Sequence, residues 1–471
     1  MNTATRKYSL MVILAAYAVI GGLYATRIPP WQAPDEPAHY NYVRQLARTG
    51  AYPVIEMGDY DQALLSQEVA PPDARPSFPL DAIQYEDHQP PLFYTLAAPV
   101  FVAFDGSLVA LRLFTLLIGA LAVTFTYLAV LEVFPPQPGI AAFAAAWVAL
   151  LPQHVHMAAS LNNDALSEAL IALTLWLSAR LVMVAGRGAG AGEQGSEGGG
   201  ADTRRAPPAS RRALVLLGIV VGLSLLTKAQ AYLCLPVALA AVFMATHGRQ
   251  PGRAVARDLG IVLAVGLVLG LPWWLHGVQV YGGLDVLGLQ RHNQVVVGQP
   301  TTGEWIAQFG WGGLLARMAQ TTFQSFWGQF GWMSVPLDRR WYLVLLVATG
   351  ASAALFVLWW LRTQILRPPE AQGASLTRTS AAQRRALTLF ALLALGAVLG
   401  FLWYNLQFVQ HQGRYLYAGL APIGLAFSLG WHYAFSRWPR VQVWLWAALL
   451  AGLAAFNLYL LWRVILPAMA A

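Results

Sequence analysis

The sequence predicts an all-α polytopic membrane protein with eleven spanning helices, its N-terminus inside and its C-terminus outside. Three observations predict it. Charged residues make up only 11% of the 471-residue chain, against about a quarter in soluble domains, while 57% are hydrophobic and mean hydropathy is +0.50. Apolar runs of bilayer-crossing length, roughly 17–25 residues, recur along the whole chain. Basic residues concentrate in alternate connections, as they do where Lys and Arg stay cytoplasmic. Eighteen Trp and eighteen Tyr fit interfacial aromatic belts.

The apolar runs lie near 8–27, 107–133, 139–157, 164–186, 213–229, 230–247, 258–276, 341–361, 386–405, 414–435 and 442–465. A basic stretch precedes the first, and Ala25 stands where a signal peptidase could cut. The run is nevertheless read as an uncleaved anchor, because functional-looking residues begin immediately after it. The stretch "HQPPLFYTLAAPVFVAF" (88–104) is short and broken by Pro90, Pro91 and Pro99, so it is read as interfacial or re-entrant. With 88–104 left out of the spans, inside segments hold about 18 of the 30 Lys and Arg and about 6 of the 22 acids; outside segments hold about 12 and about 16. Counting 88–104 as a span would invert every later loop and put "RRAPPASRR", "HGRQPGRAVAR" and "TRTSAAQRR" outside.

The chain reads as one membrane domain, 1–471. Two outer connections, 28–106 and 277–340, exceed what joining helices requires, and long structured connections often carry function. The second holds Trp305, Trp311, Phe323, Phe326, Trp327, Phe330 and Trp332. The Gly-rich inside connection 187–212 reads as a disordered cytoplasmic linker. A pI near 9.6 would suggest nucleic acid, but the positive charge falls in cytoplasmic loops and no nucleic-acid partner is inferred. The single cysteine, Cys234, excludes an internal disulfide and a Cys-pair redox motif, and lies in an apolar run as a packed residue would.

Polar residues gather on the outer side. Asp35 and Glu36 follow the first run in "WQAPDEPAHY"; Asp35 before Pro37 also suits a helix N-cap. His39, four residues on, would share a helical face with Asp35 if the helix began that early. Asp164 opens a span in "LNNDAL", where capping and a functional role stay open together. His154 and His156 are two apart, which on a helix does not converge on a metal. Lys228, in "LLTKAQ", is either a snorkelling interfacial lysine or a point charge for a phosphate. Arg414, beside Tyr415 in "HQGRYLYAGLAP", either anchors its helix or grips a phosphate through paired hydrogen bonds. Carboxylates, cations and an aromatic connection on one side are the parts that a lipid-phosphate substrate requires.

These stretches, together with "HQPPLFY" and "FWGQFGWMSVPL", resemble the GT-C superfamily of membrane glycosyltransferases over most of the chain. The resemblance implies sugar transfer from a polyprenyl-phosphate or pyrophosphate donor to a glycan, lipid or protein acceptor, at the extracytoplasmic face of the bacterial plasma membrane. It implies Asp35 as the base that deprotonates the acceptor hydroxyl, with inversion at the anomeric carbon. Glu36 and Asp164 would be supporting carboxylates, His39 and His88 pocket residues, and Lys228, Arg414 and Tyr415 the donor contacts. Metal use differs within the superfamily, so no cofactor is fixed and a divalent cation stays open. No soluble domain follows the last run, which weighs against recognition of a protein sequon.

Three readings compete. A transporter or flippase of lipid-linked sugar would want charged or broken helices at the bilayer midplane, whereas the ionisable residues here cluster at one surface. A non-enzymatic assembly subunit would not need Asp35. A ligase using a pyrophosphate-linked donor would share the cations without needing the early acidic motif.

Overall fold

The computed structural model describes residues 3–63, 65, 80–193, 210–365, 379–436, 438 and 441–470. Eight of its helices are long and apolar enough to cross a membrane, and the chain is an integral membrane protein. In chain order the helices are α1 (Thr3–Arg27), α2 (Glu36–Thr49), α3 (Leu92–Ala103), α4 (Leu108–Val133), α5 (Pro138–Leu150), α6 (Pro152–Ala158), α7 (Asp164–Glu193) and α8 (Arg211–Leu225). There follow α9 (Cys234–Thr246), α10 (Gly252–Tyr281), α11 (Leu289–Val295), α12 (Thr302–Trp327), α13 (Arg339–Trp360), α14 (Ala381–Tyr404), α15 (Leu420–Phe435), α16 (Gln442–Leu460) and α17 (Leu466–Ala470).

Each of the eleven predicted runs coincides with helix, but not all are long straight spans. The run at 139–157 is α5 and α6, bent by 65° at Leu151 and Pro152. Pro152 lacks an N–H and clashes with the preceding turn, which ends α5 there. The runs at 213–229 and 414–435 are helices of 15 and 16 residues; the second is preceded by the 3₁₀ turn Gly413–Gly419, while the 3₁₀ turn Ala229–Leu233 runs into α9. The 88–104 stretch is the 12-residue α3, which is not long enough to be counted as a span. The 277–340 connection differs from a loop. It contains α11 and the 26-residue α12, which is kinked at Gly310 and starts in a Thr301–Glu304 capping box. Of the 187–212 linker, residues 194–209 lie outside the described residues.

Packing follows the small side chains. The sequence of α5, "PGIAAFAAAWVAL", buries nearly every residue between α4 and α15, because alanines let neighbouring helices approach closely. Trp147 on α5 packs on Phe427 and Trp327 at 4.7 and 6.0 Å between ring centroids. Of the aromatics in 277–340, Trp327 and Phe330 belong to the core, with Phe323 and Phe326 packed against it. On α8, Gly222 admits α10: a Cβ there would stand 2.6 Å from Leu269 Cβ. Leu117, Val347, Val443 and Trp444 face outward, which suits a lipid solvent. Cys234 is buried in the core.

A cap of short elements sits at the end of the bundle where α2, α3 and α11 gather. A cluster of Ala38, Ile55, Ile83, Tyr85, Val295 and Phe408 holds it together. A two-stranded hairpin, β1 (Gln329–Phe330) with β2 (Val335–Pro336), is antiparallel and pairs Phe330 with Val335. Its turn takes Gly331, Trp332 and Met333 through three successive positive φ angles of 56°, 51° and 71°.

Candidate active site

Asp35 occupies the residue before α2, but not as a cap. Its backbone is left-handed, with φ 67°, and its side chain makes no capping bond. An L-residue rarely holds this conformation without a compensating contact. Here the carboxylate is turned away from the helix: Tyr85 Oη donates to Oδ1 at 2.7 Å, and Arg414 Nη2 donates to Oδ2. Burial opposes the charge on Asp35, but Arg414, His39 and the Tyr85 hydrogen bond outweigh it and hold the carboxyl at about 2.

Asp164 is likewise relieved of capping. Asn162 Oδ1 accepts from the N–H groups of Asp164 and Ala165, at 3.0 and 3.4 Å, and so caps α7. The Asp164 carboxylate instead meets Lys228 Nζ at 2.5 Å and Arg414 Nη1 at 3.9 Å. Lys228 sits at the extended turn after α8, fixed where Leu92 N–H donates to Leu226 C=O and Gln230 Nε2 donates to Tyr415 C=O. Snorkelling and helix anchoring do not describe these cations. Both are paired with carboxylates inside the cap.

Asp35, His88, Lys228, Arg414 and Tyr415 line one cavity of about 330 Å³. Its remaining wall is largely apolar and aromatic, with Leu233, Ala397, Phe401, Trp403 and Phe408. His88 Nδ1 lies 3.1 Å from Tyr85 O, and its ring is 4.5 Å from that of His292. Burial, then His292, pushes His88 well below the usual imidazole range, so it is neutral at physiological pH. A second cavity of about 220 Å³ shares Asp35, Glu86, His292, Tyr404, Arg414 and Tyr415 with the first. Asp35 stands at their junction.

Three predicted site residues are absent from the walls of both cavities: Asp164, which meets Lys228 and Arg414, and Glu36 and His39. Glu36 is fully buried and faces away from both cavities. Arg112 donates to it twice, Nε at 2.7 Å and Nη2 at 2.6 Å, and the N–H groups of Trp31 and Leu161 complete its shell. With every carboxylate lone pair engaged, Glu36 fixes the entry to α2 rather than meeting a ligand. The same Arg112 donates to the carbonyls of Ala25, Ile28 and Pro29. His39 is absent from the walls of both cavities and bonds Tyr94 Oη through Nδ1 at 2.8 Å. Helix begins at Glu36, so Asp35 lies just outside it, and the His39 N–H donates to the Asp35 carbonyl at 3.0 Å.

Glu86, Tyr85, Tyr404 and His292 went unread in the sequence. Glu86 lines both cavities and carries a buried Oε2 with no hydrogen-bond partner among the described residues. The signal for Glu86 and Tyr85 was their place just before "HQPPLFY". The signal for Arg112 was a lone cation inside an apolar run.

No family model matches the sequence, and no curated protein matches it. Solved structures are similar to it. Over 98% of this chain and 74% of the other, the structure is similar to ArnT from Cupriavidus metallidurans bound to undecaprenyl phosphate, at 16% identity and a TM-score of 0.49. It is similar over 97% of its length, and 53% of the other, to the Archaeoglobus fulgidus oligosaccharyltransferase in complex with Zn and sulfate, at 15% identity and 0.49. It is also similar, over 59% of its length and 34% of the other, to the S. cerevisiae protein O-mannosyltransferase Pmt1-Pmt2 complex bound to the sugar donor, at 16% identity and a TM-score of 0.40. Among the described residues of this chain, no group of three or more His, Cys, Asp or Glu could hold a metal ion.

Proposed function

We propose that this chain is an inverting glycosyltransferase that moves a sugar from a polyprenyl-phosphate donor to an acceptor hydroxyl, with Asp35 as general base. One observation carries the reading: Asp35, Lys228 and Arg414 converge in a single cavity whose remaining wall is largely apolar and aromatic. The apolar wall suits the first isoprene units, the cations suit the phosphate, and the carboxylate lies beside them for the acceptor. The basic bias of the opposite connections supports an extracytoplasmic cavity, in our reading that of a bacterial plasma membrane.

The acceptor oxygen attacks the anomeric carbon while its proton passes to Asp35. The bond from that carbon to the phosphate oxygen breaks, its electron pair stays on the phosphate, and polyprenyl phosphate leaves. Lys228 and Arg414 stabilise the charge that develops there, and Asp164 holds Lys228 in place. Without a donor, Asp35 is a weak base, because Arg414 is bound to it. A donor phosphate competes for that guanidinium and draws it off, so the base is released only when a sugar is there to be transferred. Glu36 supports this geometry through Arg112 and takes no part in proton transfer.

The test is release of polyprenyl phosphate from a panel of polyprenyl-phosphate sugars, by purified wild type and by Asp35→Asn, with an acceptor mixture present. Turnover of one donor by wild type, reduced about 10²–10⁴-fold in the variant, is expected of a lost general base. Equal rates in both would sink the role of Asp35.

A further inference from the structure

The second cavity differs from the first in chemistry. Its charged groups, Asp35, Glu86 and Arg414, all belong to the wall it shares with the first. The far wall, among the described residues, is uncharged: it carries the side-chain amides of Gln299, Gln410 and Gln412, the Tyr60 phenol and the Trp332 indole. At about 220 Å³ the cavity is smaller than the roughly 300–1,000 Å³ that drug-sized ligands occupy, so it admits one ring rather than a chain.

Its backbone is unusual as well. Five non-glycine residues among those described have positive φ, and Asp35, Trp332 and Met333 line this cavity. A fourth, Trp31, accepts a 2.8 Å hydrogen bond at its carbonyl from Trp332 Nε1. Strained backbone persists where surrounding structure holds it, and it clusters at ligand sites. Here it fixes the Trp332 ring at the cavity wall.

We infer that this cavity is the acceptor site and that the acceptor is a neutral saccharide, its ring packed against Trp332 and its hydroxyls bonded to Gln299 and Gln412. The inference rests on the glycosyltransferase reading and names its acceptor class. An amide carries both donors and acceptors, which is what a ring of hydroxyls, each also both, requires. An aromatic face supplies contact to the apolar side of a sugar at low entropy cost. An anionic lipid headgroup would instead need a cation on the far wall, and Arg414 is committed to the shared one.

The experiment separates donor from acceptor. Wild type, Trp332→Ala and Gln299→Ala are assayed for hydrolysis of the donor in water, then for transfer to neutral oligosaccharides of glucose, mannose, galactose and N-acetylglucosamine. A phosphorylated glycolipid and a Ser/Thr peptide serve as rival acceptors. Transfer to a neutral oligosaccharide is expected, with acceptor KM raised at least about tenfold in both variants and donor hydrolysis unchanged. Gln299→Ala, a change at a part-exposed side chain, covers the case in which Trp332→Ala fails to fold. Transfer to the glycolipid or the peptide alone, or an acceptor KM unmoved in Gln299→Ala, overturns the assignment. Absence of donor turnover by wild type overturns the glycosyltransferase reading itself, a distinguishable failure.

Discussion

Arg414 donates to Asp35 through one guanidinium nitrogen and stands 3.9 Å from Asp164 through the other. One cation thus ties the turn before α2 to the first residue of α7, across 379 positions of sequence in the first case. Lys228 completes the set from the end of α8, so two cations and two carboxylates meet with their charges balanced. On the proposed function, a donor phosphate entering this set disturbs the balance and displaces the carboxylates.

Lys228→Ala is expected to lower kcat/KM for the donor by about 10²–10³, the usual loss of one group that stabilises a developing oxyanion. Arg414→Lys should recover little of the loss in Arg414→Ala, because an ammonium cannot face Asp35 and Asp164 at once as the planar fork does. Steady-state kinetics with varied donor check both.

Glu36→Ala should act on stability rather than chemistry. Removing one partner of a buried ion pair leaves the other charge uncompensated, at about 3–5 kcal/mol. The melting temperature in detergent is expected to fall sharply. Whatever protein remains folded should keep a donor KM near that of wild type. A change confined to kcat with no loss of stability would return Glu36 to the chemistry.

Gly413→Ala is expected to abolish activity while leaving the helix content intact. A Cβ at this position would run into the backbone of Phe326 and Thr322 on α12, which cannot yield as a side chain does. The 3₁₀ turn would move, carrying Arg414 with it. Circular dichroism and donor turnover read the two effects separately.

Asp87 gives a pH-dependent prediction. Burial, then Asp59 and Glu86, raises its carboxyl from 3.8 to about 8. Between those values the folded protein holds a proton that the unfolded chain has released, so this group's contribution to stability falls as the pH rises. Asp87→Asn carries no such charge. The variant's melting temperature should match that of wild type near pH 4 and exceed it increasingly up to about pH 8, in melts across that range.

Much of this site was legible in the sequence for a simple reason. Asp35, Asp164, Lys228 and Arg414 are ionisable residues at the ends of apolar runs, where contrast is greatest, and the charge bias places those ends on one side. Glu36 was misread because adjacency suggests a shared role, whereas successive residues at a helix start point in different directions, one to Arg414 and one to Arg112. Tyr85 and Glu86 lie in a polar stretch with no contrast to mark them. The helix α12 was hidden by its own composition: glycines, glutamines and threonines keep "TGEWIAQFGWGGLLARMAQTTFQSFW" below the hydropathy of a span. The second cavity draws Tyr60, Gln299, Trp332 and Gln410 from four connections, and only tertiary packing brings them together.

The wall common to the two cavities has a kinetic corollary. Ligands that occupy separate chambers do not exclude one another by overlap, yet both depend on the state of the same arginine. If the two proposals hold, spent carrier should therefore inhibit competitively against fresh carrier and non-competitively against the molecule being decorated.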